Sequence, residues 1–252
     1  MREFLLIEEK YKEAMRQRGQ NFLINPKIAD FIVKAAELRP EDIVLEIGAG
    51  KGILTKRILE KCKVYAIEID PQLCEYLQVL FSPYVDEEKL EIICSDALKV
   101  DFPEFTKVVA NIPYHISSLL IFKILEYNFE KGILMLQHEF AERLCAKPGS
   151  KKYGRLSVMM HYNGEARILK RVKRGNFRPV PKVDSAIVEI VKKENFCYEK
   201  EILDAIVRKI FEQRRKKIKN ILGDVPYGEK RAEELTPEEI CEVARYVDRI
   251  SH

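Results

Sequence analysis

Ile43-Val44-Leu45-Glu46-Ile47-Gly48-Ala49-Gly50-Lys51-Gly52 is the stretch whose reading decides the fold. Residues 43–47 form a short, mostly apolar run of the kind that makes a buried strand. Three glycines at alternate positions follow, and a helix is expected to open at Ile53. Glycine lets a ligand approach the backbone closely and supplies positive φ where a turn needs it. The spacing differs from the G-x-G-x-x-G of dinucleotide sites.

Working outward, the same strand-then-helix alternation repeats. Lys63 to Ile69 reads as a second strand, ending in Glu68-Ile69-Asp70, and Pro71 starts a helix carrying Leu73, Leu77 and Leu80. Leu90 to Cys94 is a third strand, ending in Ser95-Asp96-Ala97; Val108 to Ala110 and Gly132 to Leu136 are a fourth and fifth. Leu156 to His161 and Ser185 to Val191 read as two further β-rich runs, joined without a crossover helix and therefore expected as an antiparallel edge. Strands alternating with helices argue for an α/β fold with a mostly parallel sheet covered on both faces. Upstream, residues 3 to 17 have helical spacing, Gly19 to Leu23 is a turn, and a helix begins near Pro26, a residue suited to a first helical turn. Beyond residue 195 the apolar positions, among them Leu203, Ile206, Val207 and Ile210, follow a helical stripe. The expected domains are thus 1–194, catalytic, and 195–252, small and all-helical.

The chain has 252 residues, 46% apolar and 33% charged, with a net charge of +4. That is a globular composition with a surface dense in charge. No apolar run approaches the roughly 20 residues that span a bilayer, and the N-terminal stretch, with Glu3, Glu8 and Glu9, does not read as a secretory signal. A cytoplasmic location is expected. The six cysteines include no C-x-x-C pair and the four histidines no ligand spacing, so no metal is expected and the thiols should be reduced. His115 reads as a local hydrogen-bonding residue.

Polar residues gather at successive strand ends. Gly48 and Gly50 follow the first strand, Glu68 and Ile69 end the second, and Asp96 and Ala97 follow the third. In open α/β sheets this edge binds ligands. Glu68 can accept ribose hydroxyls and Asp96 an adenine amine. An acidic pocket for an adenosine, without a phosphate cradle, fits S-adenosylmethionine, whose sulfonium and ammonium are cationic. Each acid taken alone could equally cap a helix, Asp70 before Pro71 above all. After the fourth strand comes Asn111-Ile112-Pro113-Tyr114. The proline fixes the local backbone, holding an amide and an aromatic ring in one relative arrangement. That suits methyl transfer to the exocyclic amine of a flipped-out base.

These motifs bring a resemblance. The sequence resembles the ribosomal RNA adenine N6,N6-dimethyltransferases, which modify two adjacent adenosines near the 3′ end of small-subunit rRNA. Gly19-Gln20-Asn21-Phe22-Leu23, Gly48, Glu68, Asp96 and Asn111 match the family's cofactor positions; Tyr153 to Val158, Phe177 to Ser185 and Phe211 to Lys217 match later blocks. The resemblance implies a class I S-adenosylmethionine-dependent methyltransferase, Rossmann-like with a seven-stranded sheet, in which Asn21 and Leu23 also contact the cofactor. It implies that Tyr114 stacks on one face of the target base and Phe177 on the other. The implied partner is small-subunit rRNA within a pre-ribosomal small subunit, engaged by a monomer. Basic residues offer the phosphate contacts: Lys151, Lys152 and Arg155; Arg171, Lys173, Arg174 and Arg178; and Arg214, Arg215, Lys216 and Lys217, expected on a C-terminal helix. Two competing readings are an erythromycin-resistance type enzyme acting on large-subunit rRNA, whose motif often also reads Asn-Ile-Pro-Tyr, and a mainly non-catalytic ribosome-assembly factor.

Overall fold

A computed structural model describes residues 21–193 and 197–251. In chain order its elements are β1 (Phe22–Leu23), α1 (Pro26–Ala35), β2 (Ile43–Ile47), α2 (Thr55–Leu59), β3 (Lys63–Glu68), α3 (Pro71–Leu80), α4 (Ser82–Asp86), β4 (Leu90–Cys94), β5 (Lys107–Asn111), α5 (Ser117–Leu125) and β6 (Lys131–Gln137). There follow α6 (His138–Leu144), α7 (Arg155–Asn163), β7 (Gly164–Val172), β8 (Phe177–Arg178), β9 (Ser185–Lys192), α8 (Lys200–Glu212), α9 (Lys219–Leu222) and α10 (Pro237–Ser251). The helix expected over residues 3–17, together with Gly19 and Gln20, lies outside the described residues.

Seven strands form one sheet in the order β4-β3-β2-β5-β6-β9-β7. The pairs β4–β3, β3–β2, β2–β5 and β5–β6 are parallel. The sheet is thus mostly parallel, in the Rossmann-like arrangement expected. Strand order reverses between β2 and β5, the position where open α/β sheets leave a crevice at their carboxyl ends. The central strands are buried on both faces: Val44, Leu45, Val64, Ala66, Val108, Val109 and Ala110 are all 0% exposed. At the opposite end of the sheet Lys107, 2% exposed, pairs with Asp42 at 2.9 Å and donates to the carbonyl of Glu37 at 2.7 Å. A charge buried this deeply must be paired, and here the pair ties β5 to the loop before β2.

Two expectations are corrected. Leu156 to His161 is not a strand; it lies within helix α7. Short apolar runs do not distinguish a buried helix from a buried strand, and here local capping decides: the Gly154 N–H donates to Ser157 Oγ at 3.2 Å. The edge strand is instead β7, rich in Arg and Lys as exposed edges often are. The cysteines are not all reduced: Cys74 pairs with Cys94 and Cys197 with Cys241, while Cys62 and Cys145 are free thiols pushed up to about 11 by burial.

The described residues form two compact units, 21–138 with 168–190 and 139–167 with 191–193 and 197–251. The second unit therefore takes residues 139–167 as well as the C-terminal helices, where the sequence pattern placed a boundary near 195. Its core is built by α7, α8 and α10: Tyr153, Leu203, Val207, Ile210, Ile240, Val243 and Ala244 are buried. The Tyr162 hydroxyl donates to the Pro237 carbonyl at 2.7 Å, closing the start of α10 onto α7.

Candidate active site

A cavity of about 390 Å³ opens at the carboxyl ends of β2, β3, β4 and β5. Its volume lies in the range of small-ligand sites. The sheet positions its lining. β2 delivers Gly48 and Gly50, β3 delivers Glu68 and Ile69, β4 delivers Ser95, Asp96 and Ala97, and β5 delivers Asn111 and the Ile112-Pro113-Tyr114 turn.

The glycine loop owes its shape to the missing side chains. Gly48 has φ +74° and Gly50 φ +58°, both in the left-handed region. A Cβ on Gly48 would sit 3.3 Å from the backbone oxygen of Asn111, and one on Gly50 would sit 3.1 Å from the ring of Phe22. The loop is thereby closed onto both the Asn111 turn and β1.

Glu68 is 4% exposed, and burial pushes its carboxyl up from the usual range. Three backbone N–H groups hold it: Gly50 donates to Oε2 at 2.9 Å, while Ile69 and Asp70 donate to Oε1 at 2.9 and 3.0 Å. A carboxylate offers about four lone-pair directions, so about one remains for a ligand, on Oε2. Beneath it Glu46 is 1% exposed, its Oε2 has no hydrogen-bond partner, and burial pushes its carboxyl up to about 8. Asp96 closes a local turn, its Oδ1 accepting from Leu98 N–H at 2.9 Å. Asp70 is the N-cap of α3, accepting from Gln72 N–H at 3.1 Å.

At the other end of the cavity the Asn111 side-chain amide donates to the carbonyl of Asn21 at 3.4 Å. With its nitrogen directed there, the amide oxygen is left as the acceptor. Ile112 is 1% exposed, and its N–H donates to the Met135 carbonyl at 3.1 Å, continuing the β5–β6 ladder past Asn111. Tyr114 begins a single 3₁₀ turn and is half-buried; its hydroxyl and Ser185 Oγ share a hydrogen bond of 2.7 Å. Burial pushes the Tyr114 phenol up.

Asn21, Gly48, Gly50, Glu68, Ile69, Asp96, Ala97, Asn111, Ile112, Pro113 and Tyr114 all line this one cavity. Leu23 and Phe177 do not. β1 pairs antiparallel with β8 in the register Phe22↔Arg178 and Leu23↔Phe177. Side chains alternate across a strand, so Leu23 and Phe177 face the same side and enter the core, 5% and 1% exposed. Phe177 therefore offers no open wall for a base, and Phe22, one residue before Leu23, borders the cavity instead. His115 and Ile116 also line it. Adjacency to Tyr114 was the only sequence signal for these two, and alternation within β1 was the signal for Phe22.

Arg214 to Lys217 do not continue a helix: α8 ends at Glu212. Arg214 donates to the carbonyls of Ser150 and Lys151 at 3.3 and 2.8 Å and pairs with Glu233 at 2.8 Å, bracing its own unit. The other basic candidates are exposed. In the second unit Arg155 pairs with Asp204, Lys152 with Glu142 and Lys217 with Glu229, while Lys151, Arg215 and Lys216 lie on the surface. In the first unit Arg171 pairs with Asp184 at 2.9 Å, and Lys173, Arg174 and Arg178 are exposed around it. Exposed pairs of this kind hold their partners weakly.

The sequence model of the family described as ribosomal RNA adenine dimethylase matches residues 12–247. The chain belongs to the ribosomal RNA adenine dimethylase family. A probable ribosomal RNA small subunit methyltransferase A from Methanosarcina acetivorans is 45% identical over 89% of this chain and 90% of its own length. Among solved structures, a dimethyladenosine transferase from Plasmodium falciparum superimposes with a TM-score of 0.82 at 32% identity, covering 91% of this chain and 98% of that one. The 23S rRNA methyltransferase ErmE aligns with a TM-score of 0.72 at 27% identity, covering 90% and 99%. As a dimethylase the chain is a methyltransferase acting on ribosomal RNA.

Proposed function

We propose that this enzyme transfers methyl groups from S-adenosylmethionine to N6 of two adjacent adenosines in the 3′-terminal hairpin loop of small-subunit rRNA, giving N6,N6-dimethyladenosines. The carrying observation is the single cavity that runs from Glu68 and Asp96 to Asn111–Tyr114. Its acidic end suits an adenosine, with Glu68 accepting a ribose hydroxyl on the free direction of Oε2 and the second Asp96 oxygen accepting the adenine amine. Asn21, Phe22 and the glycine loop enclose the remainder. When bound, S-adenosylmethionine supplies an electrophilic methyl on a sulfonium.

The adenine N6 lone pair is delocalised into the ring and is a poor nucleophile. The Asn111 amide oxygen and the Ile112 carbonyl accept its two hydrogens and stabilise the amine as positive charge develops. Fixing the amine in line with the methyl supplies much of the rate. Tyr114 stacks on the base with its ring face; its hydroxyl is turned to Ser185 and its raised phenol is no base at neutral pH. The proton shed after transfer passes to water. A monomethylated N6 keeps one hydrogen and can re-enter for the second transfer. The exposed lysines and arginines of both units hold RNA phosphates, with recognition resting on RNA shape and a splayed base. The enzyme works in the cytoplasm as a monomer on the pre-ribosomal small subunit, where it also takes part in subunit biogenesis.

Incubation with methyl-labelled cofactor and immature small subunits, followed by mapping of the modified bases, tests this. Label on two neighbouring small-subunit adenosines is expected. Label on large-subunit RNA, on a small molecule or on nothing refutes it.

A further inference from the structure

Tyr114 is anchored at both ends. Its backbone starts the 3₁₀ turn after Pro113, where the Pro113 carbonyl accepts from Ile116 N–H and Ser117 Oγ, each at 3.2 Å. Its hydroxyl meets Ser185 Oγ at 2.7 Å across 71 residues of sequence. Ser185 is 0% exposed and is the first residue of β9. Its neighbour Asp184 is itself held: its carbonyl accepts from His138 N–H at 3.0 Å, and its carboxylate accepts from Arg174 N–H at 3.0 Å and Arg171 Nε at 3.1 Å. A ring tethered only through Cα–Cβ would swing about that bond. Tied at its far end to a buried, strand-borne hydroxyl, the ring is restrained against that swing and stays in one position relative to Asn111, three residues earlier.

We propose that Ser185 is a positioning residue for methyl transfer, holding the Tyr114 ring against rotation about Cα–Cβ in the place where the target adenine stacks. The proposal rests on the function inferred above for the cavity. Ser185 touches neither base nor cofactor; it acts through Tyr114. Removing it should leave cofactor binding intact and slow the transfer step.

The test is a set of full-length variants, S185A, S185T, Y114F and the S185A/Y114F double, assayed in single turnover on small subunits and for S-adenosylhomocysteine affinity. Loss of one buried neutral hydrogen bond predicts a roughly five- to tenfold slower transfer for S185A. Cofactor affinity should be unchanged and the rate restored in S185T. In the Y114F background S185A should cost nothing further, because the shared bond is already gone. A loss that multiplies with that of Y114F, or an equal loss of cofactor affinity, overturns the proposal. The tyrosine Cζ resonance that disappears in Y114F gives a reading independent of activity: it should shift in S185A and return in S185T. An unmoved resonance also overturns the proposal. Failure of the wild-type enzyme to label small-subunit RNA would instead refute the function, while that resonance still decides whether Ser185 holds the ring.

Discussion

Replacing Glu46 by Gln should flatten the pH dependence of stability. Glu46 is buried within β2, with one carboxylate oxygen unpartnered, and burial raises its carboxyl from 4.5 to about 8, the charge of Glu68 adding to the shift. The folded state therefore holds a proton that the unfolded chain releases. A carboxyl raised in this way contributes stability that is complete below about pH 4.5 and is lost as pH rises through about 8. At about 1.4 kcal/mol per pH unit of mismatch, the loss from pH 5 to pH 9 amounts to about 4 kcal/mol. Gln has nearly the same shape and no ionisation, so the variant should lack this loss. Urea unfolding followed by far-UV circular dichroism at pH 5, 7 and 9 measures it in a chain without Trp. All other titrating groups are common to both proteins, so the difference between the two curves isolates Glu46. The wild type should fall relative to E46Q by about 4 kcal/mol between pH 5 and pH 9. Parallel curves would refute the reasoning, since they would mean that the carboxyl is solvated or paired in solution.

Asn111→Ala should cut single-turnover transfer by about 10²–10³-fold, the usual cost of a lost transition-state hydrogen-bonding group, while S-adenosylhomocysteine binding, read by calorimetry, weakens far less; equal losses would assign Asn111 to the cofactor. Glu68→Ala should do the reverse, lowering cofactor affinity by about tenfold or more through loss of a charged acceptor, and an unchanged affinity would remove Glu68 from the ribose. Gly50→Ala places a Cβ 3.1 Å from the Phe22 ring at a position with φ +58°. It should weaken cofactor binding and lower the melting temperature together, and a variant with wild-type affinity would show that Phe22 does not close the cavity.

The sheet and the gathering of Gly48, Glu68, Asp96 and Asn111 at one cavity were legible because both rest on local signals. Buried parallel strands are continuous apolar runs, and β2, β3, β5 and β6 end where a glycine, acid or amide interrupts the run, β4 where Ser95-Asp96 does. Because parallel strands align their carboxyl ends, residues at successive strand ends had to share one edge, and Glu68, Asp96 and Asn111 do. What the sequence concealed was non-local. Leu23 and Phe177 face the core and not the cavity because two short segments more than 150 residues apart pair in one particular register, and a shift of one residue would exchange the faces. Motif matching placed Phe177 in the right segment but could not orient it. Helix α7 was misread because Leu156-Ser157-Val158-Met159-Met160 is buried almost all round, which erases the period that separates helix from strand. The cysteine pairs were hidden for the same kind of reason, since connectivity cannot be deduced from spacing alone. Ser185 belongs with these. Nothing local distinguishes a serine opening a strand, yet the fold brings it within hydrogen-bonding distance of the Tyr114 hydroxyl, 71 residues away in sequence. Residues that line the cavity are thus announced by their place at strand ends, whereas the contacts that hold them emerge only when distant strands are brought together.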